Sequence, residues 1–193
     1  MLNDTVKNMF ADLGVDAEHS SVSLEQLSAT NSKYLRDLKL NLSTLLTKSK
    51  ALSQKEAYLL ALSASANDRC EVLVKAFAAK SIEAGATEEE VSEAQACASL
   101  LSLNNVFYRF RHFMHGNEYY NNTPAGIRMS VMMSPAMGKE FFELMSLAVS
   151  ALNGCQQCVA SHEASVRQLG ASEARVYDAV RVVSVVRSLC VLI

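Results

Sequence analysis

The sequence predicts an all-α fold, and three observations carry that prediction. Seven Gly and two Pro (Pro124 and Pro135) in 193 residues leave too little turn chemistry for a many-stranded β fold. Trp is absent and aromatics make up 7%, while Ala, Leu, Ser and Val suit helix packing. Apolar positions recur at three- and four-residue spacing, the period of a helix with one buried face. With 50% apolar and 20% charged residues, the chain is not disordered, and it is long enough to bury one core. A net charge of −2 gives no general pull toward nucleic acid or an anionic membrane surface.

The first residues, Met1 to Lys7, lack the basic start and apolar run of a secretory signal, and His19 is expected to be solvated near a flexible start. Residues 24–48 read as one or two amphipathic helices. Three helices are then expected over residues 54–66, 68–84 and 87 to about 108. Gly, Asn and both prolines gather in residues 117–135, a link. Beyond it, Phe141, Leu144, Met145, Ala148 and Leu152 share a face of a helix over residues 139–152. Asn153-Gly154 breaks it, a helix over residues 155–169 follows, and Gly170 ends that one at the position after its C-cap. Ser172 caps the last helix, with Glu173 in its first turn, where the dipole favours an acid. The apolar tract over residues 182–193 is too short, and interrupted by Arg187, to span a membrane; it reads as a buried terminal helix or a subunit contact.

The chain also resembles itself. Cys70 aligns with Cys155 at an offset of 85 residues, and in that register Gly85-Ala86-Thr87-Glu88 meets Gly170-Ala171-Ser172-Glu173. Leu59 meets Leu144, Leu62 meets Leu147 and Ala94 meets Ala179, with no gap over residues 52–106. A single domain over residues 1–193 is therefore expected to hold a duplicated three-helix unit: a first repeat at about 52–108, the link, and a second at about 137–193. The copies differ in one respect. Where the second has Glu143, Cys155, Cys158 and His162, the first has Tyr58, Cys70, Leu73 and Phe77. Packing roles survive in both, whereas the ionisable set exists in one. The first copy reads as scaffold and the second as the carrier of a site.

Five cysteines without a signal segment do not read as a disulfide framework, and a reducing, cytoplasmic setting is expected. Cys70, Cys97 and Cys190 sit singly in apolar contexts, where a free Cys behaves as a small hydrophobe. Cys155 and Cys158 have chemical spacing. On a helix they are neighbours one turn apart, and His162 lies one turn further along the same face. At a helix start the unpaired backbone N–H groups favour a thiolate, His162 can take or hold its proton, and Glu143 could orient the imidazole. Thiol redox chemistry is the preferred reading. Zinc held by Cys155, Cys158, His162 and Glu143, or incidental buried cysteines in a structural module, are the alternatives.

Other residues carry blander expectations. Arg109, Arg111, His112 and His115, interleaved with aromatics, suit helix or subunit packing better than nucleic-acid contact. Met129, Met132, Met133 and Met137 are expected in the core, with an oxidisable pocket wall as the minority reading.

Glu143, twelve positions before Cys155-Gln156-Gln157-Cys158-Val159-Ala160-Ser161-His162, resembles the motif of the alkyl hydroperoxidase D (AhpD) family of the carboxymuconolactone decarboxylase-like superfamily. Asn104-Asn105-Val106-Phe107-Tyr108-Arg109-Phe110-Arg111-His112-Phe113 also resembles an AhpD segment and narrows the likeness to that family. The resemblance implies an AhpD-like helical fold and an antioxidant enzyme that reduces organic hydroperoxides. It further implies reduction of a partner peroxiredoxin, AhpC, with electrons from dihydrolipoamide on a lipoylated carrier protein, and no bound cofactor or metal. Carried over by position, Cys158 is the attacking thiolate that passes through a sulfenic acid and forms the mixed disulfide with the partner. Cys155 is the proton donor and resolving thiol, closing the Cys155–Cys158 disulfide, and Glu143 with His162 forms the proton relay. A homotrimer is implied. One departure stands out: Gln157 takes a place where some members carry a His, which predicts slower rather than abolished turnover.

Overall fold

The computed structural model describes residues 1–193 and contains ten α-helices, one short 3-10 turn and no strand. They are α1 (Asp4–Leu13), α2 (Val22–Ala29), α3 (Lys33–Thr47), α4 (Gln54–Asn67), α5 (Glu71–Glu83), α6 (Glu88–Phe113), α7 (Glu118–Asn122), α8 (Lys139–Leu152), α9 (Gln156–Gln168) and α10 (Glu173–Cys190). The all-α expectation holds.

Local chemistry sets the helix starts. Ser53 and Thr87 each accept a backbone N–H from the third helical residue, while Glu56 and Glu90 reach back to the cap amide. These capping boxes satisfy donors that would otherwise be orphaned at α4 and α6. Ser172 does half of this for α10 by accepting from the Arg175 amide. Gly85 and Gly170 follow α5 and α9 with φ of 91° and 99°, a conformation that costs a side-chain-bearing residue energy. At the turn before α9, Gly154 has φ 67°; its counterpart before α5 is Arg69 at φ 58°, strain that the first copy tolerates.

Two helices form the centre. α4 is buried continuously from Ala57 to Ser65, and α8 from Phe141 to Ser150. Each packs on the next helix of its own copy, α5 or α9, and on the third helix of the other copy, so that α10 crosses α4 and α6 crosses α8. The copies thus interlock around one core, with Phe77, Phe142, Leu59 and Leu144 fully buried. On the inner face of α10, Val182, Val183, Val186 and Leu189 are buried, so the apolar terminal tract is core on that side. No helix is long and apolar enough to cross a membrane.

Three local expectations need correction. The start is not a loose segment: Asn3 caps α1, whose Val6, Met9, Phe10 and Leu13 are buried, and α1 packs on α3 and α5. His19 is half-buried beside Phe10, with ring centroids 6.0 Å apart, and its Nε2 is enclosed without a partner. α6 runs 26 residues, past Tyr108 to Phe113, because Arg111 and His112 suit its negative C-terminal end. The link holds α7 and a 3-10 turn at Ser130–Met132.

Candidate functional site

The four residues singled out in the second copy converge where α8 meets the start of α9. Cys155 is the N-cap of α9, with φ −95° and ψ 89°, and its Sγ accepts the Cys158 backbone N–H at 3.4 Å. The two sulfurs are bonded to one another, with the Cα atoms 5.3 Å apart. A sulfur at the cap and one in the first turn both lie against the positive end of the helix, which stabilises either as a thiolate once the bond opens.

Glu143 projects from α8 toward His162, which lies one turn beyond Cys158 on α9. Glu143 Oε2 is 2.7 Å from His162 Nδ1. An ionised carboxylate only accepts, so Nδ1–H donates and Nε2 is left to exchange protons. Both side chains are largely buried, at 8% and 13% exposure, so solvent weakens the bond little. The His162 bond is the main reason that the Glu143 carboxyl lies below its usual range, against burial, which acts the other way. Lys139 Nζ, 3.6 Å from Glu143 Oε1, adds a weaker pull in the same direction.

A cleft of about 290 Å³ opens onto this group. Gln157, Cys158, Ser161 and His162 form its α9 side; Asn104 and Tyr108 of α6 face them, and Met129 and Met132 of the link close it. Cys158 meets the cleft, whereas Cys155 is 1% exposed. Met132 and Met137 pack against the core as expected, and Met132 also walls the site together with Met129. The core expectation is overturned for Met133, which is exposed. Asn104 directs its amide N–H toward the Met129 and Met132 sulfurs, 3.2 and 3.9 Å away, and its buried Oδ1 has no partner.

A second layer of side chains fixes the turn that presents Cys155. Asn105 donates to Ser150 Oγ at 2.9 Å and accepts from Asn153 at 2.9 Å. Asn67 donates to Asn153 Oδ1 at 3.0 Å, and Arg109 donates to the Asn153 carbonyl at 2.8 Å. Glu93 accepts the Ala136 and Met137 amides at 2.8 and 2.9 Å, anchoring the entry to α8. Sequence reasoning assigned none of these contacts. Their signal was a polar residue on an otherwise apolar helix face, visible at Asn104-Asn105 but not diagnostic alone.

No three His, Cys, Asp or Glu side chains converge into a group able to hold a metal ion. Glu143 and His162 are committed to one another instead, and His112 and His115 are exposed. Arg111 serves packing, donating to the carbonyls of Tyr120, Asn121 and Thr123 and so tying α7 back onto α6. Cys97 is sealed beside Ser146, and burial pushes its thiol up to about 12.

A family model described as the Carboxymuconolactone decarboxylase family matches residues 37–107 and again residues 121–190. Among curated relatives, a protein of Azorhizobium caulinodans is 38% identical over 170 residues, covering 88% of this chain and 92% of its own length. One of Anaeromyxobacter dehalogenans is 42% identical over 156 residues, covering 81% and 82%. A third, of Maricaulis maris, is 35% identical over 174 residues, covering 89% and 98%. Each is named alkyl hydroperoxide reductase AhpD.

Proposed function

The chain belongs to the carboxymuconolactone decarboxylase family, among its AhpD members, and from that premise we propose that it reduces organic hydroperoxides through Cys155 and Cys158. The single observation that carries this reading is the placement of Cys158 at the start of α9, open to a half-apolar cleft that it shares with His162. That cleft offers an alkyl tail the Met129 and Met132 side chains while the peroxide meets the sulfur.

In the reduced protein, the Cys158 thiolate attacks the terminal oxygen of R–O–O–H. The O–O bond breaks, Cys158 becomes a sulfenic acid, and the alkoxide leaves as the alcohol after taking a proton. The Glu143–His162 pair supplies that proton route, because Glu143 fixes the imidazole and supports its positive charge. Cys155 then attacks the sulfenic sulfur; water leaves and the Cys155–Cys158 disulfide closes. Dihydrolipoamide, carried on a lipoylated protein, reopens it by attacking Cys158, the sulfur facing the cleft. Cys155 departs as a thiolate that the Cys158 amide, already directed at it, stabilises. The same cleft-lining sulfur forms the mixed disulfide through which AhpC, a peroxiredoxin, is reduced. The protein needs no bound cofactor for this chemistry, and it works in the cytoplasm.

Gln157 lines the cleft beside Cys158 and cannot carry a proton, so turnover is slower than in relatives with His at this place. Val106, Phe110, Phe113 and Tyr119 form an exposed apolar strip along the end of α6 and α7, which supports a homotrimer. The deciding experiment is Cys158→Ser assayed for dihydrolipoamide-dependent consumption of an alkyl hydroperoxide. Activity falls to that of the Cys155→Ser/Cys158→Ser chain if the reading holds, and activity retained at the wild-type level places the chemistry elsewhere.

A further inference from the structure

We propose that Cys70 and Cys190 form a second redox pair, which closes to a disulfide when the protein meets an organic hydroperoxide. Cys70 caps α5 as Cys155 caps α9, with φ −88° and ψ 83° against −95° and 89°. Its amide donates to the Ser65 carbonyl at 2.9 Å, as that of Cys155 donates to Ser150 at 3.1 Å. The turn that presents a reactive sulfur is therefore built in both copies. Leu73 occupies the place of Cys158, so α5 supplies no second sulfur of its own.

The second sulfur comes from the other copy. α10 crosses α4 as α6 crosses α8, which sets Cys190 in the position that Asn105 holds in the equivalent crossing. Asn105 donates to Ser150 Oγ at 2.9 Å, and in the same register Cys190 stands opposite the turn that runs from Ser65 to Cys70. Arg187, one turn before Cys190, lies 3.7 Å from Asp68 Oδ2, two residues before Cys70, and holds the two segments together. Neither sulfur is sealed as Cys97 is; both are half-buried.

Their acidities are divided. Contact with Cys190, aided by the Leu73 amide and opposed by burial, Asp68 and Glu71, holds the Cys70 thiol at about 6. Contact with Cys70 and burial push Cys190 up. The contact thus favours the thiolate on Cys70 and the protonated thiol on Cys190. The Cys70 thiolate then attacks the terminal peroxide oxygen, giving a sulfenic acid and an alkoxide that is protonated to the alcohol. The Cys190 sulfur attacks that sulfenic sulfur, its proton and the hydroxyl leave as water, and the new bond joins α5 to the last turn of α10.

The pair acts without Cys155 and Cys158, and the test separates the two. Reduced full-length protein is treated with tert-butyl hydroperoxide, alkylated, and digested without reductant. The wild-type chain is expected to lose two pairs of hydrogens and to yield a Cys70–Cys190 linked peptide beside the Cys155–Cys158 one. The Cys155→Ser/Cys158→Ser chain is expected to lose one pair and keep the Cys70–Cys190 peptide, which Cys70→Ser or Cys190→Ser removes. Full alkylation of both Cys70 and Cys190 after oxidation, or linkage of either to Cys97, overturns the proposal whatever happens at Cys155 and Cys158.

Discussion

Glu143→Gln keeps the shape of the side chain and removes its charge, so it isolates what the carboxylate contributes to the site. The Glu143–His162 contact is 2.7 Å long between groups 8% and 13% exposed, the setting in which a charge-assisted hydrogen bond contributes about 1.5–3 kcal/mol. Lys139 is 46% exposed and 3.6 Å away, so its pairing adds no more than about 0.5 kcal/mol. The variant is therefore expected to be about 2 kcal/mol less stable at pH 7, a change visible as an earlier midpoint in urea. The sign of the pH dependence follows from the lowered acidity constant of Glu143. Its contribution is fully present above the unfolded value, near 4.5, and is lost as the pH falls through the folded value below it. The gap between wild type and variant should narrow from pH 7 to pH 3. Peroxide consumption by the reduced variant should fall by about 10²-fold, the lower end for removing acid–base assistance. A stability gap of the same size at pH 3 and pH 7, or unchanged peroxide consumption, refutes the reasoning.

His162→Phe copies the first repeat, whose Phe77 sits at the equivalent place, so the fold should persist while the pH midpoint for alkylating reduced Cys158 rises; an unmoved midpoint excludes His162 from activating the thiol. Arg175 joins Glu56 and Glu140 from two helices at 18–29% side-chain exposure, so Arg175→Met leaves two carboxylates unpaired and should cost about 2–4 kcal/mol in urea unfolding at pH 7. Burial pushes the Glu56 carboxyl up, but its bonds from Arg175 and Ser53 bring it below its usual range, so that loss should shrink in acid. Arg69→Gly relieves the positive φ of 58° and should raise stability by about 0.5–1 kcal/mol; a lower melting temperature would show that the Arg69 side chain matters more than its backbone.

Much of the fold was legible because it follows local rules. The caps Ser172 and Gly170, the breaks at Asn153-Gly154 and the apolar period of α8 all act within a few residues, and the helices form where these signals stand. α1 escaped notice because its apolar face, from Val6 to Leu13, spans barely three turns and means little until α3 and α5 cover it. The site was legible at Glu143 and His162 because helix spacing and the contrast between copies both pointed there. Asn67, Asn105 and Arg109 were not, since each acts on Asn153 across 44 to 86 residues of sequence. Met129 and Met133 were not placed for a related reason: a thioether looks the same in a core, in a cleft wall and on the surface until the link is placed.

The same architecture explains why the first copy holds no matching carboxylate–imidazole pair, beyond the loss of its residues. In the second copy, the cleft is walled by Asn104, Tyr108, Met129 and Met132, none of which belongs to that copy. The places of Asn104 and Tyr108 in the other crossing fall to Leu189 and Ile193, and Leu189 is fully buried. On that side Tyr58 and Phe77 pack against one another at 6.4 Å, and Tyr58 meets a pocket of about 320 Å³ whose other walls include Met9, Leu13 and Leu42 of α1 and α3. An imidazole at position 77, where Phe77 is fully buried, would be enclosed, and its desolvation would be uncompensated. Apolar side chains there add to the core instead. α1 and α3 thus wall the first copy with apolar side chains, whereas α6 and the link wall the second with Asn104, Tyr108 and two thioethers, and it is there that the chain keeps Cys158 and His162.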